Sequence, residues 1–154
     1  MLFYEDMIPG QSIKSPNVTV DRDELVDFAK RWDPMPYHID EAAGIAAFGS
    51  ITAPGAFVIA LKQRMIHQLP DKHAVMASFG YDEVRFHAPV RPGDVLHLNF
   101  ECVSRRTSNS KPDRGIVVIR LSMINQAAVT VMSHLDTVLM RRRSPGAITD
   151  GISQ

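Results

Sequence analysis

The second half of the chain alternates between apolar and polar side chains, and this feature constrains the fold more than any other. Every second residue is apolar from Leu96 to Cys102 and again from Val117 to Met123. A third segment, from Val129 to about Met140, alternates less regularly. Period-2 alternation is typical of strands that bury one face. The sequence therefore predicts antiparallel strands after residue 74, with a polar loop over 104–115 between the first two alternating segments.

Helical signals fill the first half. Asp21 is a favoured N-cap residue, and Glu24 stands where a capping box needs it. The apolar residues that follow recur at i, i+3, i+4 and i+7, which predicts one buried helix face: Leu25, Phe28, Ala29 and Trp32. Pro34 ends this helix, because the residue before a proline is pushed out of the α region. A shorter helix is predicted over 41–48, with Asp40 as its N-cap.

A strongly apolar segment follows a glycine in the middle of the chain. Residues 56–61 are apolar on every side, and Leu61, Met65 and Leu69 then recur at four-residue spacing. This predicts a helix near 55–69 whose first half is fully buried. One buried helix followed by a run of strands is an α+β arrangement, with the sheet packed on the helix. Because such a sheet leaves open edges, we expect two protomers to pair.

Composition narrows the class of protein. The chain has 154 residues, enough for one domain, which we expect over 1–141 with a flexible tail over 142–154. Lys plus Arg and Asp plus Glu number 17 each, so nothing indicates a nucleic-acid partner. No apolar run approaches the ~20 residues of a membrane span, and no signal peptide is evident. The single cysteine, Cys102, falls on an apolar strand face and is expected in the core. We therefore expect a cytoplasmic protein without a membrane segment.

The segment Asp33-Pro34-Met35-Pro36-Tyr37-His38 places an acid and a base close together in sequence, and Ala53-Pro54-Gly55 begins the apolar helix. A carboxylate and an imidazole suit proton transfer, and a glycine at a helix start offers backbone N–H groups to a carbonyl oxygen. A fully extended link would separate Asp33 from His38 by about 16 Å, so the segment must fold back. Which of the two is the acid and which the base stays open.

These residues carry a resemblance to a known family. The order Phe28-Ala29, then Asp33-x-x-Pro36-x-His38-x-Asp40, Phe48-Gly49 and Ala53-x-Gly55 resembles the MaoC-like dehydratase and (R)-specific enoyl-CoA hydratase family. The opening Tyr4-Glu5-Asp6 to Pro9-Gly10-Gln11 is similar to that family's opening. Arg85-Phe86 with Pro89 to Asp94 is similar to its later strand and turn. The resemblance covers roughly residues 3 to 141.

The resemblance implies a hot-dog fold, in which a curved antiparallel sheet wraps around a long central helix, and at least a dimer. It implies reversible hydration of a trans-2-enoyl thioester, carried by coenzyme A or by an acyl carrier protein. Asp33 and His38 match the family's catalytic pair, and Gly55 matches the residue whose N–H polarises the thioester carbonyl. No cofactor or metal is expected. Met35 and Pro54 depart from the family, which often has Asn and His at these positions.

Two other functions remain open on the sequence. A hot-dog acyl-CoA thioesterase would use the same Gly55 N–H but direct water to the carbonyl carbon. A non-catalytic dimeric module or partner subunit that binds acyl thioesters would account for Met35 and Pro54. The basic residues of the predicted loop could contact the phosphates of coenzyme A, although a solvated loop is the simpler interpretation: Arg105, Arg106, Lys111 and Arg114.

Overall fold

The computed structural model describes residues 1–143, and the predicted tail lies outside them from residue 144 onward. A 3-10 turn over Tyr4–Asp6 opens the chain. The helices are α1 (Arg22–Trp32), α2 (Pro36–Ile39), α3 (Glu41–Phe48) and α4 (Gly55–Ile66). The strands are β1 (Ser12–Lys14), β2 (Val18–Thr19), β3 (Val75–Phe86), β4 (Val95–Thr107), β5 (Arg114–Ile124) and β6 (Thr130–Arg141).

Four long strands form the centre of one antiparallel sheet. The strand order is β1-β4-β5-β6-β3, and β2 pairs separately with the start of β4. β4, β5 and β6 follow one another as a meander, because the turns between them are short enough to reverse the chain directly. β3 pairs with β6 through three irregularities of register and lies at the end of the sheet order. The α+β arrangement predicted from the alternation is confirmed.

The inner face of the sheet packs against α4 and α1. The alternating residues of β4 and β5 are all buried, as the period-2 pattern predicts: Leu96, Leu98, Phe100, Cys102, Val117, Ile119, Leu121 and Met123. They join Leu61 and Met65 of α4 in one hydrophobic core. Phe28 of α1 meets Phe57 of α4 edge to face, with ring centroids 5.5 Å apart. This contact and the core around it fix α4 between α1 and the sheet.

Both predicted helix caps are present. Asp21 accepts a hydrogen bond from the backbone N–H of Glu24, and Asp40 accepts one from Ala43, each at 2.8 Å. The carboxylate of Glu24 does not close a capping box, because it pairs with Arg64 of α4 at 2.7 Å instead. Each cap supplies a partner for one of the N–H groups that a helix start leaves free.

The structure corrects three details. Trp32 is 65% exposed, because helical spacing gives a residue's direction but not how far the core extends. α4 ends at Ile66 and leaves Ala56 and Ala60 exposed, so its first half is buried on one side only. The predicted loop over 104–115 is also wrong: β4 runs to Thr107 and β5 starts at Arg114, because polar residues on paired strands remain in register beyond the apolar segment.

Two of the four basic residues of that segment, Arg105 and Arg114, are engaged by contacts within the fold. Arg105 donates from Nη1 to the backbone carbonyls of Tyr4 and Glu5. Arg114 pairs with Asp113 at 2.8 Å. Arg142 and Arg143, which the sequence assigned to the tail, make ion pairs with Glu5 and Asp6 at 3.0 and 2.6 Å. These contacts fasten the start of the chain to the end of β6.

Candidate active site

α2 brings Asp33 and His38 together. Asp33 is the C-cap of α1, and Pro36 starts the single turn of α2 at a position where a helix needs no N–H. The chain therefore folds back within five residues, and Nε2 of His38 lies 3.7 Å from Oδ2 of Asp33. The fold-back that the sequence required is present. The two atoms are too far apart for a direct hydrogen bond. A single donor between them, such as a water molecule, could hydrogen-bond to both.

His38 is held from behind by the segment that leads into α4. Its Nδ1 lies 2.5 Å from the backbone carbonyl of Thr52. Because a carbonyl only accepts, Nδ1 carries a hydrogen, and Nε2 is the ring nitrogen that faces Asp33. The side chain of His38 is 9% exposed, whereas that of Asp33 is 44% exposed. The imidazole is therefore fixed in orientation, and the carboxylate reaches solvent.

Neighbouring residues fix the ring and the segment around it. Tyr37 packs edge to face against His38 and also against Phe48, with centroids 4.5 and 5.3 Å apart. The backbone N–H of Thr52 donates to the carbonyl of Tyr37, and Arg91 donates to the carbonyl of Phe48. The segment before α4 is thus tied to α2 and α3. Its geometry is set by tertiary hydrogen bonds rather than by local propensity.

Gly55 begins α4, as the sequence predicted. Pro54 is its N-cap and has no side-chain oxygen, so no side chain caps this helix start. Among the residues described, no acceptor is recorded for the backbone N–H of Gly55. The positive end of the helix dipole adds to this free donor. A carbonyl oxygen placed here would meet a hydrogen-bond donor and a partial positive charge.

Phe86 covers the other side of Gly55. A Cβ built on Gly55 would lie 2.8 Å from Cζ of Phe86, closer than real side chains approach. Any larger residue here would require the ring of Phe86 or the helix start to move. Phe86 is itself 52% exposed at the end of β3. The ring therefore forms an outer wall beside the free N–H.

All three residues predicted for the site line one cavity of about 490 Å³, here called the dyad cavity. Its other walls are mostly apolar: Tyr37, Phe48, Ala53, Val58, Phe86, Ala88, Pro89 and Val90. Sequence reasoning missed Thr52 as the partner of His38, since no spacing rule links a backbone carbonyl to a distant ring. It named Phe86 only as part of a family motif. A mostly apolar cavity with a few convergent polar groups is typical of a small-molecule site.

The residues described contain no cluster of three or more His, Cys, Asp or Glu side chains that could hold a metal ion.

Within the same part of the chain, no helix is long and apolar enough to cross a membrane. Cys102 is buried on the inner face of β4, where burial raises the pKa of its thiol.

Comparison with known proteins now defines the class. The family model described as "MaoC like domain" matches residues 6–122, and the chain belongs to this family. A MaoC-like dehydratase from Rhodospirillum rubrum superposes with a TM-score of 0.87 at 29% identity, covering 94% of this chain and 99% of that one. The fold is the hot-dog fold, as the resemblance implied.

Two relatives match the sequence over stretches of different length. The uncharacterized protein YdeM from Bacillus subtilis is 28% identical over 135 residues, covering 86% of this chain and 94% of that protein. Mesaconyl-CoA hydratase from Haloarcula marismortui is 37% identical over 73 residues, covering 47% of this chain and 20% of that protein. The relatives thus include a hydratase, matched over a short part of its length.

Proposed function

We propose that this protein is a hydratase/dehydratase that adds water reversibly to the double bond of a trans-2-enoyl thioester. The observation that carries the proposal is the alignment of His38 Nε2 and Asp33 across 3.7 Å in the same cavity as the free N–H of Gly55. Membership of the MaoC-like family and the hydratase among the relatives support the same class of reaction. Coenzyme A or an acyl carrier protein would enter as part of the substrate.

The geometry suggests how the reaction proceeds. A water molecule between Nε2 of His38 and the carboxylate of Asp33 donates one hydrogen to each. As its oxygen bonds to C3 of the enoyl group, the dyad takes up one proton, and the π electrons move toward the thioester oxygen. The N–H of Gly55 stabilises the resulting negative charge. The dyad then returns a proton to C2, so that one water has been added in total.

Asp33→Asn and His38→Ala test this assignment. Each variant should lower kcat for hydration of trans-2-enoyl-CoA by about 10²- to 10⁴-fold, since each removes one half of the proton-transfer pair. The loss of enoyl-thioester absorbance measures the rate over a panel of chain lengths. Asp27→Asn on the exposed face of α1 is the control and should leave the rate unchanged.

The result also separates the other candidate functions. Wild-type rates in both dyad variants would contradict the assignment of Asp33 and His38. Release of free thiol from saturated acyl-CoA would identify a thioesterase, because a hydratase has no double bond to act on there. Binding without turnover of any enoyl chain would identify a non-catalytic module.

We infer further that two copies of the chain pair through β3. This strand spans twelve residues at the end of the sheet order, and its side chains are almost all exposed. The exposed residues include large apolar ones, Val75, Phe79, Tyr81 and Phe86. A long apolar edge strand is a ready template for pairing with another chain. The Phe79→Glu variant should shift the molar mass in light scattering from a dimer to a monomer, and a monomeric wild-type protein would refute the pairing.

A further inference from the structure

A second cavity, of about 380 Å³, lies against the other half of α4, and it is here called the distal cavity. The sheet supplies an apolar floor: Phe100, Ile119, Leu121 and Val138. Polar side chains stand around this floor: Gln63, His73, Ser78, Tyr81 and Asp136. An apolar floor with a polar wall fits a ligand that is aliphatic along most of its length and polar at one end.

Buried polar atoms without partners cluster around this cavity. Nε2 of His73, which lines the cavity, is buried and has no hydrogen-bond partner among the residues described. Neither ring nitrogen of His134 has one, although the residue is 2% exposed. Native structures leave few such atoms, because each loses its hydrogen bonds to water without replacement. The two histidines therefore leave hydrogen-bonding capacity that a water molecule or a polar group of a ligand could satisfy.

Lys62 adds a buried ammonium group to the same cluster. It is fully buried on α4, and among the residues described no carboxylate forms a salt bridge with it. Its Nζ lies 3.3 Å from Oε1 of Gln63 and 4.1 Å from the centre of the Tyr81 ring. A buried lysine ordinarily pairs with an opposite charge. Here two of its three donors lack a described hydrogen-bond acceptor.

Tyr81 separates the distal cavity from the buried cluster. Its ring lies against the ammonium group of Lys62 and against the ring of His134. The centroids of the Tyr81 and His134 rings are 4.5 Å apart. The hydroxyl reaches only Oε1 of Gln63, at 3.4 Å, and the side chain is 40% exposed. β3 has an irregularity of register on each side of this residue. Movement of the Tyr81 ring would bring Lys62 and His134 into contact with the distal cavity.

The charges and hydrogen-bond donors around the distal cavity indicate which polar end group of a ligand would fit it. The cluster and the distal cavity hold two lysines, Lys62 and Lys72, and one carboxylate, Asp136, which accepts a hydrogen bond from Ser78 at 2.6 Å. Lys62, Gln63 and the two histidines offer more donors than acceptors. Burial lowers the pKa of both His73 and His134, so each ring is neutral near pH 7 and presents one N–H. An oxygen-bearing end group, which accepts hydrogen bonds, matches this arrangement.

The two cavities lie along the same helix. Val58 of α4 lines the dyad cavity and Gln63 lines the distal cavity, five positions or about 7.5 Å further on. On β3, Phe86 belongs to the first and Tyr81 to the second. Tyr81 and Gln63, which line the distal cavity, contact Lys62, and Tyr81 also contacts His134. An acyl chain whose thioester lay at Gly55 and which extended toward the C-terminal half of α4 would bring its far end to this side of the helix.

We propose that the distal cavity and the cluster of Lys62 and His134 select an acyl group that ends in an oxygen-bearing polar group rather than in a methyl group. The proposal rests on the proposed function, because it assigns the far end of that same substrate. The preference would come from this chain's own polar side chains, because a wholly apolar pocket would suit a methyl-ended acyl chain better.

Saturated acyl-CoA probes test the proposal separately from catalysis, because they cannot be hydrated. Calorimetry would compare eight-carbon probes that end in methyl, hydroxyl or carboxylate. At least one oxygen-bearing probe should bind at least tenfold more tightly than the methyl-ended probe. Tighter binding of the hydroxyl probe would identify a neutral end group, and tighter binding of the carboxylate probe an anionic one. Equal or tighter binding of the methyl-ended probe would overturn the proposal.

Variants locate the effect. Lys62→Met keeps the length of the side chain and removes its charge, and His134→Leu removes both unpartnered nitrogens. Each should reduce the preference for the oxygen-bearing probe at least fivefold, with thermal unfolding used to confirm that the variant is folded. Arg64→Met, on the exposed face of the same helix, should retain the preference. An undiminished preference in both cluster variants would also overturn the proposal.

The wild-type measurement needs no variant, so the proposal remains testable even if both substitutions prevent folding. Hydration of enoyl-CoA without a preference among the end groups would refute the polar end group and leave the hydratase standing. A preference among the saturated probes without any hydration would support the polar end group and contradict the hydratase. Absence of binding to every acyl-CoA would contradict both.

Discussion

At the residue scale, the site depends on backbone groups as much as on side chains. The carbonyl of Thr52 fixes the hydrogen of His38 on Nδ1 and so leaves Nε2 free to accept a proton. The backbone N–H of Gly55 is free because it belongs to the first turn of α4, whose N–H groups have no partner within the helix. Both groups would survive most substitutions at their own positions. Their function is therefore sensitive mainly to changes that move the backbone or block access to it.

Gly55→Ala is such a change. The new methyl group would lie within 2.8 Å of the Phe86 ring, so either the ring or the helix start must shift. We expect kcat/KM for enoyl-CoA hydration to fall at least tenfold, which corresponds to a loss of about 1.4 kcal/mol of transition-state stabilisation. Steady-state kinetics and thermal unfolding would be measured together.

The double variant Gly55→Ala/Phe86→Ala provides the control for this clash. Removing the ring should restore the thermal stability lost in Gly55→Ala, because the two residues are in direct contact and their effects should not add. Additive losses of stability would show that the contact is not the cause.

At the element scale, short helices place the dyad. α2 is a single turn of four residues, too short to be stable alone, and it persists because α1, α3 and the segment before α4 hold it. Asp40 ends α2 and caps α3 at the same time. This double role explains why a polar residue follows His38 so closely. Asp40 lies outside the set of residues that line the dyad cavity.

Asp40→Ala should therefore affect stability rather than chemistry. Loss of the hydrogen bond to the N–H of Ala43 should lower the free energy of unfolding by about 1 kcal/mol, while kcat stays within a few-fold of the wild type. Urea denaturation and the hydration assay would measure the two quantities. Asp27→Ala, in the exposed middle of α1, is the control and should change neither. A hundredfold loss of kcat in Asp40→Ala would give this residue a catalytic role.

At the scale of the whole molecule, ion pairs join the two ends of the described chain. Arg142 and Arg143 follow β6 and bind Glu5 and Asp6 near the start. Burial by itself would raise the pKa of Glu5, but hydrogen bonds from the Arg143 backbone and the Arg142 side chain outweigh it and hold the pKa below its usual value. The pKa of Asp6 is likewise lowered, since hydrogen bonds from Phe3 and Arg143 outweigh burial.

These lowered pKa values make stability depend on pH in the acid range. Between the usual carboxyl pKa and the lower folded value, the unfolded chain binds more protons, so stability falls as pH falls. The contribution is complete at neutral pH and is lost below about pH 4.5, the ordinary value for glutamate. Urea unfolding at pH 7 and pH 3.5 should show a smaller difference in Glu5→Gln than in the wild type. An equal difference in both would show that this clamp does not contribute.

Much of the architecture follows from local patterns in the sequence. Alternation placed the inner faces of β4 and β5, and the caps and prolines placed α1, α3 and the fold-back between Asp33 and His38. The sequence also located Asp33, His38 and Gly55 as the polar groups of one site. These features follow from short-range rules, because periodicity, capping and proline geometry act within a few residues.

Only the tertiary structure decided the rest. It paired Thr52 with His38 and Phe86 with Gly55, and it gathered Lys62, Tyr81 and His134 from α4, β3 and β6 into one buried cluster. In the sequence, Lys62 is an ordinary helix residue, and His134 interrupts a strand without a pattern. Contacts between residues far apart in the chain depend on how elements pack and in which register strands pair. Local periodicity carries no information about either, so the cluster around Tyr81 became visible only in the fold.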